Sequence, residues 1–94
     1  MKIRWTTSAT RQLAAAYEFI TANNQKAARK LTTEIWKAVD LLGRQPEAGR
    51  KGRVPGTREL VVRRTPFVVA YQVKKDEVQI LAVWHAARKW PTEF

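Results

Sequence analysis

Residues 58–91, RELVVRRTPFVVAYQVKKDEVQILAVWHAARKWP, read as three strands in succession, and the rest of the chain must serve as cover for the sheet they form. Phe67, Val69, Tyr71 and Val73 alternate with Val68, Ala70, Gln72 and Lys74, and β-branched or aromatic residues fill most positions. That period of two predicts a central strand over Phe67–Val73. Upstream, Arg58–Arg64 sets Leu60 and Val62 against Glu59, Val61 and Arg63, a strand with one partly charged face, and Thr65-Pro66 supplies a turn. Downstream, Lys74-Lys75-Asp76-Glu77 is a polar link of hairpin length. Val78–Ala86 then sets Val78, Ile80, Ala82 and Trp84 against Gln79, Leu81, Val83 and His85. Two short links give an antiparallel meander. Its last strand is apolar on both faces as far as His85, so it is expected to be the most buried, with its end emerging at a functional edge.

The preceding residues carry a different periodicity. Lys2–Trp5 puts Ile3 and Trp5 on one side and Lys2 and Arg4 on the other, which suits a short edge strand protected by charge. Thr6, Thr7 or Ser8 can cap a helix whose stripe is Leu13, Ala16, Tyr17 and Ile20, with Arg11, Gln12 and Glu18 off it and Asn23-Asn24 ending it. From Gln25 the stripe restarts as Ala27, Ala28, Leu31, Ile35, Ala38, Val39 and Leu42, with Gly43 placed as C-terminal cap. Trp36, at the edge of that stripe, reads as core rim. The expected fold class is α+β: a short N-terminal strand, a helical hairpin over about Thr7–Leu42, then a three-stranded antiparallel meander, the helices packed on one face of the sheet. Leu13, Tyr17, Ile20, Leu31, Ile35, Val39 and Leu42 are expected to be buried against it. A length of 94 residues fits one domain, 1–94.

Composition excludes several classes of function. With no cysteine there are no disulfides and no thiolate metal sites. The start, MKIRWTTSA, lacks the apolar run of a signal peptide, and no segment approaches the ~20 apolar residues of a membrane span, so a cytoplasmic protein without membrane contact is expected. A single histidine, His85, and scattered carboxylates offer no metal-ligand spacing and no carboxylate pair; no cofactor or metal is expected. Ser8, the only serine, sits where a helix cap belongs, which argues against a serine nucleophile.

What composition favours is an anionic partner. The net charge is +10, and Arg44–Arg64 holds seven cations (Arg44, Arg50, Lys51, Arg53, Arg58, Arg63, Arg64) against Glu47 and Glu59, a surplus of five in one window. Arg44–Gly56, RQPEAGRKGRVPG, is too rich in proline and glycine to be helix or strand for long and reads as a basic loop suited to phosphates, without the spacing of a nucleotide-binding P-loop. Arg50, Lys51, Arg53, Arg58, Arg63, Arg64 and Arg88 are therefore the candidates for target or nucleic-acid binding. His85 and Arg88 are catalytic candidates only if the protein cleaves RNA, where a histidine moves a proton and guanidinium groups stabilise phosphorane charge; the other reading of His85 is a hydrogen-bonded histidine at a strand end.

The order strand, helix, helix, three strands, together with GRVPGTRELVV, TPFVVAYQV and VQILAVWHAARKWP, resembles the RelE/ParE superfamily of toxins from bacterial type II toxin–antitoxin systems over nearly the whole chain. The resemblance implies a toxin neutralised by an acidic antitoxin that wraps it, and growth arrest by one of two routes: RelE-type members cut mRNA on the ribosome, ParE-type members poison DNA gyrase. It also implies that the positions where RelE-type enzymes carry basic catalytic residues fall on Glu59, Val61 and Val68, none of which can do that work. Arg88 matches the arginine after the last strand, and Phe94 falls where those enzymes place a tyrosine. His85 resembles a histidine found in nuclease and non-nuclease relatives alike. The expectation is a ParE-like gyrase inhibitor that is not an enzyme. The alternatives are a RelE-like mRNA endonuclease using Arg53, Arg63, Arg64, His85 and Arg88, or a non-toxic basic RNA-binding module.

Overall fold

In a computed structural model that describes residues 1–87, the chain runs β1 (Lys2–Trp5), α1 (Thr7–Thr21), α2 (Gln25–Arg44), β2 (Arg50–Lys51), β3 (Arg58–Val61), β4 (Phe67–Lys74) and β5 (Glu77–His85). The five strands form one sheet in the order β1-β5-β4-β3-β2. All pairings are antiparallel except β1–β5, which is parallel, so the first strand lies beside the last, with Lys2 opposite Glu77 and Trp5 opposite Ile80. No helix among the described residues is long and apolar enough to cross a membrane.

The expected α+β architecture holds, and the sequence periodicities account for most of it. Thr6 caps α1: its hydroxyl oxygen accepts from Ala9 N at 3.2 Å and donates to Ile80 O at 2.9 Å, so the cap also ties the helix to β5. Because β1 stops at Trp5, the outer edge of β5 beyond Ile80 needs other partners, and Gln12 of α1 accepts from Val83 N at 2.8 Å. Asn24 caps α2 by accepting from Ala27 N at 3.0 Å. Leu31, Ile35, Val39 and Leu42 are buried as their spacing requires, each contributing about 1.5–3 kcal/mol of apolar burial. Leu13, Tyr17 and Ile20 are only half-buried, because α1 lies at the margin of the core. Trp36 is half exposed and tilts against Trp5, ring centroids 5.4 Å apart, a rim position.

Four expectations need correction. Gly43 does not end α2; the helix continues to Arg44, and Gln45 N donates to Leu41 O, while Gly43 packs under the N-terminal strand, where a Cβ would stand 3.1 Å from Met1 O. The strand expected over Arg58–Arg64 ends at Val61, since Arg64 adopts φ 64° and the turn closes on Thr65, whose hydroxyl donates to Val62 O and accepts from Phe67 N. The β4–β5 link tightens to Lys75-Asp76, both with positive φ, as a right-twisted two-residue hairpin turn demands. Finally, β5 does not alternate strictly: Ala70 pairs with Ala82 but Tyr71 with Ile80, leaving Leu81 as an extra residue. Val78 and Ile80 thus join Val83 in the core beneath the helices, with Phe67, Val69 and Tyr71. Ala82 and Trp84 pass to the far face and cluster with Val68 and Ala70.

Candidate binding site

Two depressions flank α2 and meet at one residue. The first, about 380 Å³, lies between the α1–α2 end of the hairpin and the β3–β4 turn; Phe19, Ile20, Leu31 and Phe67 give it apolar walls, and Lys30, Arg64 and His85 border it. The second, about 560 Å³, lies between the C-terminal half of α2 and β3, floored by Ala38, Leu41 and Leu60, with Val61 at its outer edge, and bordered by Glu34, Lys37, Arg44, Arg63 and Arg64. Arg64 lines both. Lys30, Lys37 and Arg44 recur every seventh residue, so they project from one flank of α2 in line. Lys37 is 3.8 Å from Glu34, whose side chain is largely covered, and Arg44 is 2.8 Å from Asp40 in an exposed pair that holds the side chains only weakly. Together the depressions form an apolar groove with cations on both banks. Sequence reasoning missed the α2 bank, although its heptad spacing was there to be read.

The basic loop is built, not loose. We call residues 45–57 the arch. Tyr71, fully buried in β4, sends its hydroxyl into it, accepting from Gly49 N at 2.8 Å and donating to Pro46 O at 2.8 Å. Desolvation by burial pushes its phenol above the ordinary value. Gly49 is required there, because a Cβ would stand 2.7 Å from the tyrosine ring and hydroxyl. Arg58 donates to Gly49 O at 2.8 Å. At the far end, Gly52 N donates to Thr57 O at 2.8 Å. Between them Glu59, expected on a charged solvent face, is instead 2 % exposed: its carboxylate accepts from Arg53 N at 3.1 Å and from Arg50 Nη2 at 3.4 Å, with Arg53 Nε 3.8 Å away. A buried carboxylate requires such partners, and only the arch brings them.

The candidate residues therefore fall into separate places. Arg50, Lys51 and Arg53 stand exposed on the arch, Arg58 braces it, and Arg63 and Arg64 occupy the turn beside the groove. His85 is opposite Phe67 in register and packs edge-on against it, centroids 5.4 Å apart, on the helix side of the sheet; its Nδ1 accepts from Ala87 N at 3.0 Å. Glu59, Val61 and Val68 lie on the other side: Glu59 pairs with Ala70 and Val61 with Val68, and Val68 and Ala70 belong to the far-face cluster. The sheet thus separates His85 from those three. Arg88 and Phe94 lie outside the described residues. Among the described residues no cluster of histidine, aspartate or glutamate could hold a metal ion. Across the far face of β1, β5 and β4 runs a polar chain: Arg4 Nε to Glu77 at 2.9 Å, Gln79 Nε2 to Glu77 at 2.7 Å, Gln72 Nε2 to Gln79 at 2.8 Å. The bonds from Gln79 and Arg4 lower the Glu77 pKa below the usual carboxylate range.

A strand, a helical hairpin and an antiparallel sheet, joined to a cationic groove, define the class of small RelE/ParE-type toxins. The family description "ParE toxin of type II toxin-antitoxin system, parDE" matches residues 3–90, and the chain belongs to that family. It is 40% identical over 90 residues to Y4kP of Sinorhizobium fredii, covering 96% of this chain and 93% of that protein. To Toxin RelE2 of Caulobacter vibrioides it is 34% identical over 87 residues, covering 93% and 97% of the two chains. A solved structure of the chromosomal ParDE toxin–antitoxin system from P. aeruginosa superposes with a TM-score of 0.81 at 33% identity, over 90% of this chain and 95% of that one.

Proposed function

We propose that this toxin arrests growth by binding and inhibiting DNA gyrase, and that a cognate acidic antitoxin holds it harmless by seating an amphipathic segment in the groove along α2. The observation that carries the target assignment is the separation of His85 from Glu59, Val61 and Val68 by the thickness of the sheet. Phosphoryl transfer needs proton-moving and charge-stabilising groups converging on one point. At those three positions the far face offers two valines and a carboxylate already engaged by the arch, while His85 faces the helices with one ring nitrogen in use. Inhibition by binding needs no such convergence. The similarity to a ParDE structure supports the same reading, whereas the Caulobacter relative's name keeps the mRNA endonuclease as the competing one.

The antitoxin assignment rests on complementarity: an apolar floor takes one face of an amphipathic segment, and Lys30, Lys37, Arg44, Arg63 and Arg64 take acidic residues on its rim. Association should slow as ionic strength rises; a rate flat between low and high salt would remove the electrostatic part of the proposal. For the target, induced expression in a bacterium should arrest growth with altered plasmid supercoiling or DNA breaks and without new mRNA ends by primer extension. His85→Ala should leave arrest intact. Loss of arrest and of mRNA cleavage together in that variant, by roughly 10²–10⁴-fold, with folding unchanged, would establish the endonuclease instead.

A further inference from the structure

The groove does not use all of the basic surface. Arg50, Lys51 and Arg53 line neither depression; they stand on the arch at the β2 edge of the sheet, and Arg50, opposite Glu59, shares its far face. A partner filling the groove leaves this edge open. We propose that the arch is a second, separate binding element, for the phosphodiester backbone of nucleic acid, and that Glu59 is the residue that positions it.

Three observations converge. The arch backbone is fixed, through Tyr71 at Gly49 and Pro46, through Thr57 at Gly52, and through Glu59 at Arg53 N, so the stretch of chain that carries its cations is held in one course. The guanidinium of Arg50 meets Glu59 through a single nitrogen, Nη2, at 3.4 Å and its side chain remains 63% exposed, which leaves N–H donors for a phosphate oxygen. And the arch lacks the apolar floor that an acidic peptide segment would cover; Val54 is its one exposed large hydrophobic residue. A row of phosphates needs cations and donors and no apolar floor. Glu59 costs one unit of positive charge, which a site built on charge alone would not carry; its contribution is geometric.

Fluorescence anisotropy of the full chain with a labelled mixed-sequence DNA duplex, and with a labelled single strand in a parallel arm, tests this across a salt series. Arg50→Ala/Lys51→Ala should weaken binding at low salt by about tenfold or more and reduce the slope of log K against log salt by about 1.8 for the duplex, at roughly 0.9 per phosphate contact. Lys30→Ala/Lys37→Ala, equal in charge but in the groove, should change either by less than about twofold. Equal losses in the two double variants would show diffuse attraction and overturn the site. Preference for one arm identifies duplex or single strand as the source of the phosphodiesters. Glu59→Gln separates position from charge: it makes the protein more positive, so a purely electrostatic surface would bind tighter, whereas a positioning role predicts weaker binding with the slope retained. Tighter binding by Glu59→Gln would overturn the positioning role. Lys51→Ala alone, which touches no partner of Glu59, should still lose affinity if Glu59→Gln fails to fold, and an unchanged affinity there would overturn the site. These readouts need no gyrase and no antitoxin, so they stand or fall apart from the assignment of the target.

Discussion

The arch and the β3–β4 turn carry the same kind of charge on segments of the same sheet, yet they are held in opposite ways. The arch is fixed from outside itself, by a tyrosine hydroxyl from β4 and a carboxylate from β3, reaching 25 residues along the chain from Tyr71 to Pro46. The turn is fixed from within, by Thr65 bonding Val62 O and Phe67 N, and it tolerates a left-handed arginine at Arg64. Basic residues are thus presented in one case on a segment pinned by side chains of other strands, and in the other on a turn closed by its own hydroxyl and backbone bonds, with Ala86 N donating to Pro66 O. The pair on the turn lines the groove; the set on the arch faces open solvent.

The largest effect expected from this contrast is at Tyr71. Tyr71→Phe removes both hydroxyl bonds and leaves Gly49 N and Pro46 O short of a partner, and should lower unfolding stability by about 1–3 kcal/mol in denaturant titrations. Thr65→Ala should cost less, about 0.5–1.5 kcal/mol, because the turn is partly exposed and water can replace the hydroxyl. A larger loss at Thr65 than at Tyr71 would reverse the comparison. Arg64→Gly should fall within about 1 kcal/mol of the parent, on the stabilising side, since glycine carries no penalty at φ 64°. The smallest effects are in pH. Burial holds the Tyr71 proton more tightly in the folded state than in the unfolded chain, so its contribution is intact below the ordinary phenol value of 10.0 and is lost as pH rises through the folded pKa; Tyr71→Phe should flatten that alkaline limb. Glu77 has the opposite sign: its depressed pKa gives a contribution present above the ordinary carboxylate value and lost as pH falls through the folded one, and Gln79→Ala should diminish it.

The helical hairpin was legible because a period of 3.6 is a local property: Leu31, Ile35, Val39 and Leu42 declare their face whatever packs on it. Leu81 was not, since VQILAVW is apolar at nearly every position after Gln79 and a strand buried on both faces carries no polar residue to mark a slipped register. Glu59 was misread for a related reason. Its neighbours in sequence predict a charged face, and the partners that allow it to be buried reach it only through the pairing of β2 with β3. The arch was visible as composition, proline and glycine among cations, while its rigidity depends on Tyr71, which reads in sequence as one more core aromatic. The candidate site was legible as a set of residues and illegible as a geometry: nothing in the alternation of β5 tells that His85 and Val68 end on opposite sides of a bulged sheet.

The parallel pairing of β1 with β5 has a consequence in time. Lys2 and Arg4 meet Glu77 and Gln79, partners from opposite ends of the chain, and α1 is anchored to the same strand through Thr6 at Ile80 and Gln12 at Val83. Contacts of such sequence separation are the slow ones to form, since most of the chain must be ordered in closing the loop between them. During synthesis the first strand has no sheet neighbour, and the first helix can pack only on α2, until β5 has been made. The sheet is therefore expected to stay incomplete until β5 is available, which gives a partner synthesised beside it time to be waiting.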